Sequence, residues 1–321
     1  MKRNFFRKWL VIILVVIGIF SLLKWGVGLI RDEEEGHITA KNTILQLDLV
    51  GVIYNGKKFI KNLKKYEDDA HVKAVVININ SPGGAVGPSQ EVFTEIKRFR
   101  EQSKKPVICV STGIMASGAY YSAVACDKII VAPGALVGSI GVIMEFANIE
   151  KLYDWAKISR YTITSGKYKD SGAEYRAMRD DERALFQGMI DEVYNQFKTT
   201  VMESRKLKED VMANYADGRV FTGAKAVELG FADAVGTFED AVNLAAETAG
   251  LGTDFELYEI PKKKRSIFDF GDGSDDDPVN SIFNSKIPSE KAMMKELLKV
   301  TLRTELLNQP LFLMPGFWGE Q

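Results

Sequence analysis

Ala74-Val75-Val76-Ile77-Asn78-Ile79-Asn80 runs without a break into Ser81-Pro82-Gly83-Gly84. A run rich in β-branched residues that stops at Pro-Gly-Gly reads as a buried strand ending in a tight loop. Upstream, Thr43-Ile44-Leu45-Gln46-Leu47-Asp48-Leu49-Val50 alternates well enough to be another strand. Downstream, residues 107–110 and 128–132 supply two more. Residues 88–102 carry helical spacing through Val92, Phe93, Ile96 and Phe99, and a further helix begins near Ser117, after the Thr112-Gly113 break. Strands alternating with helices predict an α/β fold with a parallel-rich sheet flanked by helices. Loops at the carboxyl ends of such strands gather ligand-handling groups, and Gly84 and Ser117 both fall on such loops.

The 321 residues hold one large domain or two modest ones, and 46% hydrophobic with 26% charged residues is ordinary for a well-cored globular protein. A net charge of −1 gives no concentrated basic face for a nucleic acid, so none is expected as a partner. The only two cysteines, Cys109 and Cys126, sit in apolar runs and read as buried small hydrophobes rather than a disulfide. They offer no metal spacing, and no metal or cofactor is expected.

The N-terminus carries a different signal. Residues 9–30 are apolar except for Ser21 and Lys24. At 1.5 Å per residue they reach about 33 Å, enough for a bilayer core. Lys2, Arg3, Arg7 and Lys8 precede the span and Asp32 to Glu35 follow it, which predicts residues 1–8 in the cytoplasm and the rest beyond a single-pass cell-membrane anchor. The length of the run and the lack of an Ala-x-Ala site favour an uncleaved anchor over a secretory signal. Residues 31–42 then read as a linker, 43–255 as the globular domain and 256–321 as an extension.

Within the later half, residues 180–208 read as a long amphipathic helix with Phe186, Met189, Ile190, Val193, Phe197, Val201 and Met202 on one side. That stripe is expected to be core or subunit contact rather than a cofactor site. Short helices follow near 223–229 and 237–249. The basic run 262–265 and the acidic run 271–278 read as a solvated, mobile loop, and a last helix near 289–307 precedes an apolar tail containing Leu311, Phe312, Phe317 and Trp318.

Chemistry concentrates at Met115-Ala116-Ser117-Gly118-Ala119-Tyr120-Tyr121 and, 52 residues beyond Ser117, at Ser165-Gly166-Lys167-Tyr168-Lys169. A serine hydroxyl needs a neighbour to take its proton. The two histidines are badly placed: His37 follows the apolar anchor and His71 sits in a polar turn before a strand. An amine is therefore the candidate base, with Lys167 and Lys169 both available, and burial would be needed to free it of its proton at neutral pH. Gly118 leaves its N–H open toward a substrate, and Gly83-Gly84 can bring backbone N–H groups close to make a second oxyanion donor.

These segments, with Gly138-Ser139-Ile140-Gly141-Val142-Ile143 and Gly218-Arg219-Val220-Phe221-Thr222-Gly223, resemble in kind and order the signal peptide peptidase family, the membrane-anchored serine–lysine proteases of the ClpP/crotonase superfamily. The resemblance covers residues 43 to about 250. It implies a ClpP/crotonase-like fold and an endopeptidase that degrades signal peptides left in the membrane, favouring small and apolar residues near the cut. It makes Ser117 the nucleophile, Lys169 rather than Lys167 the general base, Gly84 and Gly118 the oxyanion donors and Ser139 the serine that holds the lysine amine. Ala119 departs from the pattern, where a second glycine is common. Because the chain carries one copy of the catalytic unit, the resemblance also implies a homo-oligomer, an octameric dome with sites shared between protomers. The apolar tail is expected to be a self-substrate or cap for the groove. A related membrane-linked protease acting on other membrane proteins or peptides is the main alternative. A crotonase-like acyl-CoA enzyme would more usually carry a carboxylate than Ser plus Lys, and a catalytically silent scaffold would keep only the ring.

Overall fold

The computed structural model describes Ile38, residues 40–261 and residues 310–313. The anticipated anchor at 9–30, the loop within 262–280, the helix at 289–307 and tail residues Phe317 and Trp318 lie outside the described residues. Among the described residues no helix is long and apolar enough to cross a membrane.

Six strands form one wholly parallel sheet. They are β1 (Thr43–Val50), β2 (Val72–Asn80), β4 (Val107–Ser111), β6 (Lys128–Val131), β9 (Ala234–Val235) and β10 (Glu256–Glu259), in the order β10-β1-β2-β4-β6-β9. Strand β2 is one of the two central strands, with neighbours on both sides, which is why it is apolar nearly throughout. Its alternate residues serve opposite faces. Val75, Ile77 and Ile79 join Val92, Ile96 and Phe99 of helix α2 (Val86–Ser103) on one face. Ala74 and Val76 join Ala241, Val242 and Ala245 of helix α8 (Phe238–Thr248) on the other. The four strands and the helices read from sequence within these residues are therefore present, with ends shifted by a few residues at most.

The cysteine expectation is corrected. Cys109, in the middle of β4, is joined to Cys126 by a disulfide. Between them the chain leaves the sheet and returns through helix α3 (Gly118–Ala123), which brings Cys126 back to 5.9 Å from Cys109, Cα to Cα. Such a return is invisible in two apolar runs read separately.

A second departure lies between β4 and α3. Instead of running straight into the helix, the chain forms strand β5 (Ile114–Ala116), which leads a small sheet with β7 (Leu136–Gly138) and β8 (Val220–Thr222), ordered β5-β7-β8. Gly113 permits the step aside, because a Cβ there would meet Asn80 Oδ1 at 2.7 Å. The same Asn80 oxygen accepts from the N–H of Ile114. The remaining helices are α1 (Lys57–Lys65), α4 (Glu150–Trp155), α5 (Asp180–Arg205), α6 (Glu209–Tyr215) and α7 (Gly223–Glu228).

Candidate active site

Two serines end adjacent parallel strands. Ala116 of β5 pairs with Gly138 of β7, so Ser117 and Ser139 each stand one residue past a matched pair. Neighbouring strands run about 4.8 Å apart. Both residues adopt positive φ, 53° for Ser117 and 52° for Ser139, a region that non-glycine residues enter only under local constraint. The Ser117 N–H donates to the Gly138 carbonyl at 2.7 Å, fixing the first corner, and the Ser139 N–H donates to the Arg219 carbonyl at 2.8 Å, fixing the second. Ser117 is almost fully buried, and its Oγ has no hydrogen-bond partner among the described residues.

Strand β3 (Gly83–Ala85) brings the glycine loop to the same place. Ser81 bridges to Met115 of β5, and its backbone exchanges bonds with Ile114 and Ala116. Gly83, at φ 97°, has no room for a side chain: a Cβ would lie 2.6 Å from the Gly118 nitrogen. The structure thus joins Ser117, Gly118, Ser139 and Gly84 around one point.

The C-terminal tail enters that point. Strand β11 (Leu311–Leu313) pairs antiparallel with β3, matching Leu311 with Ala85, Phe312 with Gly84 and Leu313 with Gly83. On its other edge Leu311 exchanges both backbone bonds with Ile143, at 3.0 and 2.8 Å. The Val86 N–H donates to the Pro310 carbonyl, so by ladder alternation Phe312 and Gly84 form the pair that exchanges N–H···O bonds. The Phe312 carbonyl consequently faces the Gly84 N–H. A Cβ on Gly83 would come within 2.1 Å of that oxygen, and one on Gly118 within 3.1 Å. The Phe312 ring is wholly buried, stacked on Tyr121 at 5.2 Å and tilted against Phe197 of α5 at 4.6 Å. Tyr121 is held in turn against Phe93 at 5.2 Å and by its hydroxyl, 3.2 Å from Thr200 Oγ1.

The lysines stand apart from this cluster. Lys167 is ion-paired with Asp181 at 2.6 Å, and that hydrogen bond, followed by one from Tyr168, raises its pKa. It is held as an ammonium. Lys169 is exposed and makes no ion pair among the described residues. Since Ser117 Oγ has no described partner, Lys169 of the same chain does not reach it. His71 immediately precedes β2, nine residues before Asn80, which places it roughly 30 Å along the strand from the glycine end, and it pairs with Asp69 at 3.0 Å. No group of His, Cys, Asp or Glu able to hold a metal occurs among the described residues.

Two pocket walls escaped the sequence reading. Tyr121 was visible only as part of a motif, and Phe197 only as one member of the α5 stripe. Nothing in helical spacing separates a residue that packs on core from one that packs on an incoming peptide.

Sequence comparison fits this geometry. The profile of peptidase family S49 matches residues 99–252, a span that holds Ser117, Ser139 and Lys169 and excludes Gly84. The slr0021 protein of Synechocystis, provisionally named a protease, is 38% identical over 229 residues, covering 70% of this chain and 82% of its own. The chain belongs to peptidase family S49. As an S49 member it is a serine protease. Other S49-type relatives are longer. The chloroplastic serine protease SPPA of Arabidopsis thaliana is 32% identical over 78% of this chain but 38% of its own length. An Enterococcus faecium protein provisionally named signal peptide peptidase SppA is 31% identical over 65% of this chain and 64% of its own.

Proposed function

We propose that the chain is an endopeptidase in which Ser117 attacks an extended apolar peptide and Lys169, supplied by a neighbouring copy, is the general base. The observation that carries this reading is β11 itself: a peptide segment lies as an added strand on Gly83–Ala85 with the Phe312 carbonyl at the Gly84 N–H, beside Ser117 and Gly118. A substrate in the same register would put the carbonyl of its Phe312 equivalent between the N–H groups of Gly84 and Gly118. Ser117 Oγ would attack that carbon while the lysine amine takes the hydroxyl proton. The ammonium then protonates the leaving amine, freeing the segment after the Phe312 equivalent and leaving an ester on Ser117. Water, deprotonated by the same amine, would release the acyl half and restore the serine. Ser139, at the neighbouring strand end, would hold the amine.

The pocket also refines the expected preference. A site that encloses a phenylalanine between Tyr121 and Phe197 accommodates a large apolar residue on the acyl side of the cut, where the sequence reading favoured small ones. Apolar signal peptides left in the membrane have this character, as do other membrane-derived peptides. An unpartnered Ser117 Oγ and a run of exposed apolar side chains (Leu152, Trp155, Ile158, Tyr161 and Ile163) upstream of Lys169 support completion of the site by a second copy. The reading keeps the ClpP/crotonase-like architecture, the single-pass anchor at 9–30, an extracytoplasmic domain and a ring, with the octamer as its specific form.

Separate Ser117→Ala and Lys169→Ala variants of the full chain, assayed on an apolar peptide, test the chemistry. Loss of turnover by about a thousandfold or more in each is expected. Wild-type turnover in either would refute its assigned role.

A further inference from the structure

In the segment that carries Lys169, side-chain ion pairs tie Lys167 to Asp181 and Arg160 to Glu174, but the backbone itself has little to hold it. Residues 156–169 are exposed, and the turn bonds around the lysine are long: Lys169 N–H to the Gly166 carbonyl at 3.3 Å, and Ser171 and Ala173 N–H to the Tyr168 and Asp170 carbonyls at 3.2 Å. A general base needs placement to within a fraction of an ångström. Two arginines provide an anchorage that the turn lacks. Arg179 donates to the Lys167 carbonyl at 2.9 Å, and Arg176 donates to the Asp170 carbonyl at 3.0 Å. Arg176 also reaches the Asp170 carboxylate at 3.0 Å. The backbone is therefore gripped two residues before Lys169 and one residue after it.

Both guanidinium groups converge on one carboxylate. Glu182 accepts from Arg176 at 2.9 and 2.6 Å and pairs with Arg179 at 2.6 Å, and its side chain is fully buried. It stands in the first turn of α5, the helix whose Phe197 and Val201 are locked in the core beside Tyr121. We propose that Glu182 is a positioning residue for Lys169, acting through Arg176 and Arg179 to tie the lysine-bearing loop to the rigid end of α5. This rests on Lys169 being the base. The grip lies within the chain that supplies the lysine, whichever copy owns the serine.

Glu182 has a second role that must be separated from this one. It accepts from the Arg179 N–H at 2.9 Å and completes a capping box on α5. Capping needs only a neutral acceptor, and glutamine serves there as well as glutamate. The bidentate Arg176 contact and the single Arg179 guanidinium contact need the charge. Glu182→Gln therefore keeps the cap and weakens the grip. Arg176→Gln, outside the helix, is the second variant in case the first folds poorly.

Both are measured as full-length protein on an apolar peptide, beside Lys169→Ala. The expected result is a fall in kcat of about 10- to 100-fold with KM within about twofold, and a melting temperature above the assay temperature. If Lys169→Ala is inactive while both grip variants keep wild-type kcat, the positioning role is overturned and the base assignment stands. If Lys169→Ala keeps wild-type turnover, the base assignment fails and the positioning role with it. A loss that falls equally on kcat and on the fraction of folded, assembled protein would mark Glu182 as structural only and overturn the proposal.

Discussion

Phe312→Ala should convert a self-occupied groove into an open one. The ring is completely buried, stacked on Tyr121 and tilted against Phe197. Its removal from an ordinary core would cost about 3–5 kcal/mol. The tail, unlike a core element, can withdraw into water, so the lower end of that range applies, about 3 kcal/mol or roughly 150-fold in occupancy. The tail competes within its own molecule, and an external peptide sees its apparent KM raised by one plus the ratio of occupied to open sites. In Phe312→Ala the apparent KM should fall by several-fold, to a ceiling of about 150-fold, while kcat stays unchanged because Tyr121, Phe197, Gly84 and Gly118 are untouched. Truncation after residue 308 should match or exceed the effect, since it also removes the Leu311 bonds to Ile143. Steady-state kinetics on a fluorogenic apolar peptide make the comparison. Unchanged KM and kcat in both variants would refute the view that β11 occupies the substrate's place.

Other perturbations address separate parts of the account. Gly118→Ala would place a methyl carbon 2.3 Å from the buried Ser89 Oγ and 3.1 Å from Phe312 Cβ, so the turn that aims the Gly118 N–H must shift; kcat should drop about 100-fold and the melting temperature should fall with it, and near-normal values of both would contradict the close packing at Gly118. The hydrogen bonds of Arg176, followed by the Arg179 N–H, hold the Glu182 carboxyl down to about 2 from its ordinary value of 4.5. A depressed carboxylate stabilises the fold above its ordinary pKa and loses that contribution as pH falls toward the folded value. The difference in melting temperature between wild type and Glu182→Gln should thus be constant above about pH 5 and narrow below it, and a gap that widens in acid would contradict the pairing. Unfolding the protein without reductant should expose no thiol to a titrating reagent; two reactive thiols would show that Cys109 and Cys126 are not bonded.

Much of the architecture was legible because periodicity and local chemistry agree there. Strand β2 is apolar on both faces because helices cover both, and Pro82-Gly83-Gly84 ends it where the loop must turn under Ser117. Ser117, Gly118 and Gly84 could be named from the Ala-Ser-Gly and Pro-Gly-Gly stretches that follow strands, whereas Ser139 was named only through the resemblance to the signal peptide peptidase family. What escaped depends on long-range placement. The Cys109–Cys126 bond needs the return of α3, and β5 is too short to show a period. The Glu182 clamp joins residues from a loop and a helix cap, each of which reads in sequence as an ordinary charged surface. The tail strand pairs across more than two hundred residues with a partner of which two members are glycine.

The central claim is that Ser117 of one copy works with Lys169 of another. The most direct measurement mixes full-length Ser117→Ala and Lys169→Ala chains, each inactive alone, after dissociation and reassembly together. In a ring with shared sites, a 1:1 random mixture restores an intact pair at about one site in four, so about a quarter of wild-type activity should return. No recovery from assemblies shown by mass to contain both variants would contradict the account.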